Sequence, residues 1–280
     1  MIEKDFLETV VAERRAHAAA LRDSGWTFER PKGAQRREWA RSLRAALGRR
    51  RDGRLAVIAE VKRVSPALGA LAPNVDPAAQ ARAYVAAGAA AISVLVEPLH
   101  WGGSLDDLRA VREAAPTVPV LAKDVIVDAV QIAEADAAGA DAILLIAEAF
   151  DDAHLAALLS EARRRGMEVL VEAHEAEAFG RAVASGARIV GANARNLRRP
   201  EEIDRGRARL LHSFVRRDQI FVAESGIESA ADAAALPARV DAVLVGTALM
   251  RTERPGELIK ALAGVRRSAR SPRTISAGAR

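Results

Sequence analysis

Acidic and basic side chains stand together at the ends of short apolar segments in this sequence. Glu60 and Lys62 close the apolar segment 55–61, and Lys123 and Glu172 occupy similar positions at the ends of two later segments. Because side chains two residues apart share one face of a strand, Glu60 and Lys62 are neighbours. Carboxylates beside ammonium groups in a partly desolvated site shift each other's pKa and exchange protons with a substrate. The pair is therefore either a local ion pair or the start of an acid–base site.

The use of lysine favours the second interpretation. Only five of the 42 basic residues are lysines, so this chain carries most of its positive charge on arginine. Lysine offers a compact ammonium whose pKa moves on burial, whereas arginine stays charged. Two of the five, Lys62 and Lys123, follow apolar segments directly, which raises the expectation of a chemical role.

Eight short β-branched segments alternate with alanine-rich, helix-periodic stretches after residue 50, and several follow a helix end and a glycine, as in "AAGADAILLI". Glycine past a helix terminus supplies the left-handed cap, and the near-repeat indicates a reiterated strand–helix unit. The eight predicted strands are residues 55–61, 90–96, 118–122, 141–146, 167–173, 188–192, 220–225 and 241–246.

Eight such units match an α/β fold of the (β/α)8 TIM barrel type, which needs about 250 residues. The alternative is an open doubly wound sheet, which carries a glycine-rich turn after its first strand. The corresponding stretch here, "EVKRVSP", has no glycine. The pattern therefore predicts a closed barrel.

Three regions are expected along the chain. Residues 1–50 form an N-terminal helical extension, residues 51–265 form the catalytic barrel, and residues 266–280 form a basic tail whose composition is typical of a disordered end. The tail holds five arginines and no acidic residue, so the rest of the chain has 37 basic residues against 37 acidic ones. That balance argues against a nucleic-acid partner.

Composition excludes several classes of protein. Without cysteine the chain has no disulfide, no thiolate metal site and no catalytic thiol, and its five scattered histidines do not indicate a zinc site. No apolar run approaches the roughly 20 residues of a membrane helix, and the start of the chain is too charged for a secretory signal. We expect a cytoplasmic protein that has no membrane partner.

A closed barrel would bring the polar residues that follow its strands to one opening. Catalytic groups of such barrels lie at the C-terminal ends of the strands. Each residue alone is most simply a solvated loop residue, but together they predict one site. These residues are Glu60, Lys62, Ser65, Glu97, Lys123, Asp124, Glu172, His174, Asn193, Arg195, Asn196, Glu224, Ser225, Gly226, Gly246 and Thr247.

The last two strands carry a second signal. Small residues and hydroxyls follow them directly in "AESGI" and "VGTALM", where Ser225, Gly226, Gly246 and Thr247 lie. Backbone N–H groups and a short following helix at these two loops bind phosphate in many barrels. The alternative is a pair of tight turns that need glycine for their geometry alone.

An ordered set of segments resembles the indole-3-glycerol-phosphate synthase family of tryptophan biosynthesis. The segments are "IAEVKRVSP", "AISVLVEPLHWGGSLDDL", "PVLAKDVI", "QIAEADAAGADAILLI", "EVLVEAHEAEAF", "IVGANARNL", "FVAESGI" and "DAVLVGTALM". The resemblance implies closure of 1-(2-carboxyphenylamino)-1-deoxyribulose 5-phosphate to indole-3-glycerol phosphate, CO2 and water. It implies a small phosphorylated substrate, no metal or organic cofactor, and a monomer or weak homodimer.

The resemblance also implies roles for individual residues. Lys123 is similar to the general acid that protonates the ribulose carbonyl, and Glu172 to the second acid/base residue. Lys62 would contact the substrate carboxylate, with Glu60 and Asn193 orienting these groups. The remaining expected contacts are Ser65, Glu97, Arg195 and Ser225 for substrate, and Gly226, Gly246 and Thr247 for phosphate.

The sequence departs from the family pattern around the expected substrate ring. Val125 stands where "KDFI" of the family has an aromatic residue, and Leu68 stands where a lysine is often found in the first βα loop. Val96 and Trp101 replace the common Thr and Phe of the second loop. We expect Trp101 to restore part of the lost aromatic contact.

Two other functions compete. Phosphoribosylanthranilate isomerase shares the two phosphate loops, but it normally uses a cysteine, which this chain lacks. A catalytically silent barrel in a complex of tryptophan enzymes would have no need of Lys62, Lys123, Glu172 and Asn193 together. The synthase is the better interpretation of the sequence.

Overall fold

Eight parallel strands close into a barrel, which confirms the predicted architecture. The structure is a computed structural model that describes residues 5–29, 41–48 and 53–267. The barrel strands are β1 (Ala56–Val61), β2 (Ala91–Leu95), β3 (Val120–Lys123), β4 (Ala142–Ile146), β5 (Glu168–Ala173), β6 (Ile189–Asn193), β7 (Ile220–Glu224) and β8 (Ala242–Val245). Each pairs with its neighbour in sequence, β8 pairs with β1, and the predicted strand ends are met within two residues.

Helices precede the barrel and alternate with its strands. They are α1 (Phe6–Asp23), α2 (Leu43–Leu47), α3 (Pro77–Ala86), α4 (Leu105–Ala114), α5 (Ala129–Ala137), α6 (Asp152–Arg164), α7 (Ala176–Ala184), α8 (Arg207–Leu211), α9 (Ala230–Ala235), α10 (Thr247–Arg251) and α11 (Pro255–Ala263). A short antiparallel hairpin, Val64–Ser65 with Gly69–Ala70, stands between β1 and α3. Within the described residues, no helix is long and apolar enough to cross a membrane.

Local sequence signals explain where the strand–helix units begin and end. Gly88, Gly139, Gly166 and Gly186, the glycines that precede four predicted strands, all have positive φ, as the left-handed caps require. Side-chain caps begin several helices: Asp128 starts α5 with a capping box, a feature that stabilises a helix by about 1 kcal/mol. The strands themselves are buried on both faces, since helices cover the outside and side chains fill the inside.

The N-terminal helices bind opposite ends of the barrel. The first turns of α1 lie over the opening at the carboxyl ends of the strands, where Leu7 and Val10 are buried. The guanidinium of Arg14 in α1 makes a buried ion pair of 2.6 Å with Asp124, which follows β3. At the other end, Ser42 Oγ before α2 donates to Glu168, the first residue of β5. The extension is therefore part of the barrel's packing.

The first two residues of the predicted basic tail, Arg266 and Arg267, are within the described part of the chain. Arg267 is nine-tenths buried, and its guanidinium donates to the carbonyls of Ala233 and Leu236. The backbones of Arg266 and Arg54 form an isolated antiparallel β-bridge. Arginine's N–H donors can bond to backbone carbonyls at the end of a helix, and Arg267 does so here. Residues 268–280 of the tail lie outside the described residues, as do 30–40 and 49–52 of the predicted N-terminal extension and the start of the barrel region.

Candidate active site

One cavity opens at the carboxyl ends of the strands, under the first turns of α1. Its volume is about 140 Å³, on the order of ten times what one water molecule requires. All twelve residues with predicted site roles line it: Glu60, Lys62, Ser65, Glu97, Lys123, Glu172, Asn193, Arg195, Ser225, Gly226, Gly246 and Thr247. The barrel topology therefore brings the predicted set together at one small-molecule site.

Lys123 lies at the centre of the buried charge in this cavity. Its Nζ donates to Glu172 Oε2 at 3.2 Å and lies 3.7 Å from Glu224 Oε2. Burial acts to lower the pKa of Lys123, but the carboxylates of Glu172, Glu224 and Glu60 outweigh it and raise that pKa above its ordinary value. The ammonium is therefore held charged and aimed into the cavity.

Glu224 is a site residue that the sequence assigned to a strand end without a role. Burial raises its pKa well above the ordinary value, repulsion from Glu172 raises it further, and Lys123 opposes both effects. Lys123 Nζ lies beside both carboxyl groups, 3.2 Å from Glu172 Oε2 and 3.7 Å from Glu224 Oε2. Glu172 and Glu224 therefore form an acidic pair beside Lys123, and burial favours the protonated form of Glu224.

Glu60 and Lys62 form the ion pair that their spacing suggested, and the pair belongs to the cavity. Lys62 Nζ lies 3.0 Å from Glu60 Oε1, and both side chains are largely buried. The other carboxylate oxygen, Oε2, has no hydrogen-bond partner among the described residues. An oxygen left without a donor in a buried site is available to a substrate hydroxyl or amine.

Two glycines leave the space that the carboxylates occupy. A Cβ at Gly246 would lie 2.1 Å from Glu60 Oε1, and a Cβ at Gly191 would lie 2.2 Å from Glu224 Oε1. In the sheet, Gly191 pairs with Glu172 of the adjacent strand, so its missing side chain lets Glu224 approach Glu172. Gly246 was predicted as a phosphate contact, and the structure shows that it also makes room for Glu60.

Asn193 organises the loops after β6 and β7. Its Oδ1 accepts hydrogen bonds from Ser225 Oγ at 2.8 Å and from the Arg195 backbone N–H at 3.0 Å. Ser225 has a φ of 66°, the only positive value among the described residues other than glycine. Backbone strain of this kind persists where the surrounding structure imposes it, and it is common in functional sites.

The Arg195 guanidinium donates to the Pro200 carbonyl. Burial lowers the pKa of Arg195, and the Glu60 carboxylate opposes that shift.

Glu97 faces its own loop more than the predicted substrate. Its carboxylate accepts the backbone N–H groups of Leu99, His100 and Trp101 at 3.0, 2.6 and 3.2 Å. These bonds fix the loop after β2, which carries Trp101 to the cavity wall. A direct substrate contact by Glu97 stays a prediction.

The residues that depart from the family pattern around the expected substrate ring lie at the cavity. Val125 and Trp101 both line the cavity, and Val125 is buried. The ring of Phe6 in α1 packs edge-on against Trp101, with centroids 5.7 Å apart. Leu68, in the hairpin loop, lines the opening and is half exposed. The sequence offered no sign of Phe6, since its place in the site depends on the docking of α1.

A positive charge stands on the side of the cavity formed by the loops after β7 and β8. Arg251, at the end of α10, lines the same cavity as Gly226 and Thr247. Gly226 has a φ of 68°, which turns the backbone at this edge. A guanidinium beside backbone N–H groups and a hydroxyl forms an arrangement that can bind a phosphate. The sequence had indicated the two loops but not Arg251.

The other polar residues at strand ends serve the framework. Asp124 pairs with Arg14, His174 Nδ1 bonds to the Asn193 carbonyl at 2.9 Å, and Asn196 bonds to Glu202. Burial raises the pKa of Asp124, and Arg14 opposes that shift. In the part of the chain that the structure describes, no cluster of three histidine or acidic side chains has the geometry to hold a metal ion.

The fold and the site define a (β/α)8-barrel enzyme with a lysine and several carboxylates buried in its cavity. The sequence model of the family described as indole-3-glycerol phosphate synthase matches residues 7–262. The chain belongs to the indole-3-glycerol phosphate synthase family.

Curated relatives agree with this assignment. Indole-3-glycerol phosphate synthase of Micrococcus luteus is 50% identical over 79% of this chain and 83% of its own length. Indole-3-glycerol phosphate synthase 2 of Streptomyces coelicolor is 49% identical over 80% of this chain and 86% of its own. Indole-3-glycerol phosphate synthase of Exiguobacterium sibiricum is 40% identical over 94% of this chain and 98% of its own length.

Solved structures of lower identity share the fold. A tryptophan synthase from M. tuberculosis superposes with a TM-score of 0.56 at 19% identity, over 79% of this chain and 98% of its own. 3-Hexulose-6-phosphate synthase from Salmonella typhimurium superposes with a TM-score of 0.57 at 18% identity, over 75% of this chain and 98% of its own. At such identities the likeness concerns the barrel alone.

Proposed function

We propose that this chain is a carboxy-lyase of tryptophan biosynthesis that closes 1-(2-carboxyphenylamino)-1-deoxyribulose 5-phosphate to indole-3-glycerol phosphate, CO2 and water. Membership of the family supports the reaction. The observation that carries it in the structure is the cluster of Lys123, Glu172 and Glu224 at the centre of the cavity, with Lys62 and Glu60 beside it. That cluster supplies the acids and bases that the reaction needs.

Ring closure requires a positive charge at the ribulose carbonyl while the aromatic carbon attacks it. Lys123 fills this role, because the surrounding carboxylates keep its ammonium charged inside a buried cavity. The ammonium polarises the carbonyl and gives a proton to the oxygen as the new carbon–carbon bond forms. Loss of CO2 then returns the bonding electron pair to the ring.

Dehydration requires an acid for the departing hydroxyl and a base for the proton on the adjacent carbon. Glu172 has one oxygen bonded to Lys123, and the other is buried without a partner among the described residues. We assign it the base role, and Lys62 the role of binding the substrate carboxylate and protonating the hydroxyl. Asn193 orients the site through its hydrogen bonds with Ser225 and the Arg195 backbone, and Glu60 orients Lys62 through their ion pair.

The phosphate end of the substrate belongs at the loops after β7 and β8. We propose that Gly226, Gly246 and Thr247 bind the phosphate, with Arg251 as its counter-charge. Ser65, Glu97, Arg195 and Ser225 then complete the walls around the sugar and ring, and Val125 and Trp101 set the fit of the aromatic ring.

We propose the three expected regions: an N-terminal helical extension at 1–50, a catalytic barrel at 51–265 and a basic tail at 266–280. We also propose a cytoplasmic enzyme that acts without metal or organic cofactor, is a monomer or weak homodimer, and has no nucleic-acid partner. Sedimentation of the purified chain at several concentrations tests the oligomeric state.

Incubating the protein with the carboxyphenylamino-deoxyribulose phosphate while following indole fluorescence tests the reaction. Fluorescence that rises with release of one CO2 for each indole product supports the proposal. A protein that is folded by circular dichroism but makes no product would refute it.

A further inference from the structure

The proposed reaction, on which this inference rests, takes up a proton. Protonation of the carbonyl oxygen consumes one H⁺, whereas dehydration consumes one at the departing hydroxyl and releases one from carbon. The substrate carboxylate leaves as CO2 and its electron pair stays in the ring, so each turnover gains one H⁺ from solvent. The buried acid–base groups must therefore be reloaded.

Glu172 has an oxygen suited to this reloading. Its Oε2 is bonded to Lys123, whereas its Oε1 is buried and has no hydrogen-bond partner in the described part of the chain. An unpartnered buried carboxylate oxygen costs roughly 1–3 kcal/mol, so such atoms usually bond to an ordered water.

A small void behind the main cavity reaches from Glu172 to Glu148. Its volume is about 10 Å³, about the least that one water molecule needs. Residues of α1, β5 and β6 and their loops enclose it; the polar ones are Glu148, Glu172, His174, Glu175, Asn193, Asn196 and Arg198. A water there has several polar partners within reach.

Glu148 connects this void to solvent. It lies in the 3-10 segment Ala147–Ala149 after β4 and is partly exposed. Its Oε1 accepts the backbone N–H groups of His174 and Glu175 at 2.6 and 2.9 Å, which hold the carboxyl group in place. Burial raises its pKa above the ordinary value, and those two N–H donors oppose the shift.

The other charged groups around Glu148 are already engaged. A guanidinium nitrogen of Arg207 lies 3.2 Å from His174 Nε2, and His174 Nδ1 lies 2.9 Å from the Asn193 carbonyl, so both ring nitrogens have partners. Arg198 pairs with Asp5 and Glu175, and Arg181 donates to carbonyls of the Ala147–Ala149 segment and Phe150. Glu148 is the group placed to carry a proton between solvent and Glu172.

We propose that Glu148 and one water in this void form a proton inlet to the active site. Glu148 takes a proton from solvent and passes it through the water to Glu172 Oε1. Glu172 then delivers it, through its hydrogen bond with Lys123, to the group that protonates the reacting oxygen. Glu148 acts through Glu172 and does not touch the substrate.

Glu148→Gln tests the inlet, because glutamine keeps the acceptor for the two N–H groups but cannot relay a proton. We expect kcat to fall about tenfold with unchanged KM, less than the loss of a directly acting acid, since solvent still reaches the main cavity. The solvent deuterium isotope effect on kcat should rise, and added formate should restore the rate. Glu177→Gln, at an exposed position of α7, is the matched control and should leave all three quantities unchanged.

Parent values of kcat and isotope effect in Glu148→Gln would overturn the inlet while leaving the proposed function intact. A crystal structure of the parent protein gives a readout that needs no activity. An ordered water within hydrogen-bond distance of both Glu148 and Glu172 supports the inlet, and a dry void overturns it. A parent protein that forms no product refutes the proposed function and the inlet together.

Discussion

Replacement of Gly191 by alanine displaces a carboxylate that the active site needs in one position. The added Cβ would lie 2.2 Å from Glu224 Oε1. Ordinary contact requires the carboxyl end to retreat by about 1 Å. That end belongs to a flexible side chain, so the carboxyl group moves before the barrel does. A shift of about 1 Å in a reacting group costs on the order of 100-fold in rate. We therefore expect kcat of Gly191→Ala to fall about 100-fold.

The effect should disappear when the carboxyl group no longer fills the space. Glu224→Asp withdraws the carboxylate by one methylene and lowers kcat by itself, but Gly191→Ala should then cost almost nothing more. The expected coupling is about 2.7 kcal/mol, the free energy of a 100-fold change in rate. Indole fluorescence gives kcat for all four proteins, and urea unfolding reports their stability.

Gly180→Ala in α7 is the matched control, since nothing lies within 4 Å of its added Cβ. It should retain parental kcat. Equal losses from Gly191→Ala in the parent protein and in the Glu224→Asp variant would refute the steric reasoning.

Two further predictions concern the carboxyl pair and the substrate ring. The raised pKa of Glu224 means that the folded protein binds more protons than the unfolded chain above the ordinary value of 4.5, so this residue's contribution to stability falls as pH rises. Glu224→Gln removes that loss, so the stability of the variant relative to the parent should rise as the pH increases above 4.5, by up to about 1.4 kcal/mol per pH unit. Parallel urea-unfolding profiles of the two proteins would contradict this. Val125→Phe should lower KM by about 2- to 10-fold through a new aromatic contact. Steady-state kinetics with unchanged KM and kcat would show that position 125 does not face the ring.

The barrel could be predicted because its signals are local and repeated. Each strand reads as an apolar β-branched segment, and glycines such as Gly139 and Gly166 mark the helix ends before them. Topology then decides the site: once eight parallel strands close, their carboxyl ends share one opening, so Lys62, Lys123 and Glu172 must meet there.

Contacts between distant segments could not be predicted. Nothing in the sequence around Phe6 or Arg14 shows that α1 covers the opening, because that depends on the buried pairing with Asp124. The space at Gly191 depends on a side chain from the neighbouring strand, and the direction of Glu97 depends on three N–H groups of its loop. These features are fixed by packing in three dimensions, which residue type and spacing do not record.

We propose that the Lys123 ammonium, held between Glu172 and Glu224, drives ring closure. Single-turnover measurement of indole formation by Lys123→Ala tests it most directly, with Lys260→Ala on the exposed face of α11 as the control. We expect Lys123→Ala to fold normally and to lose at least about 100-fold in rate, while the control keeps the parental rate. Indole formation by Lys123→Ala at the parental rate would contradict the claim.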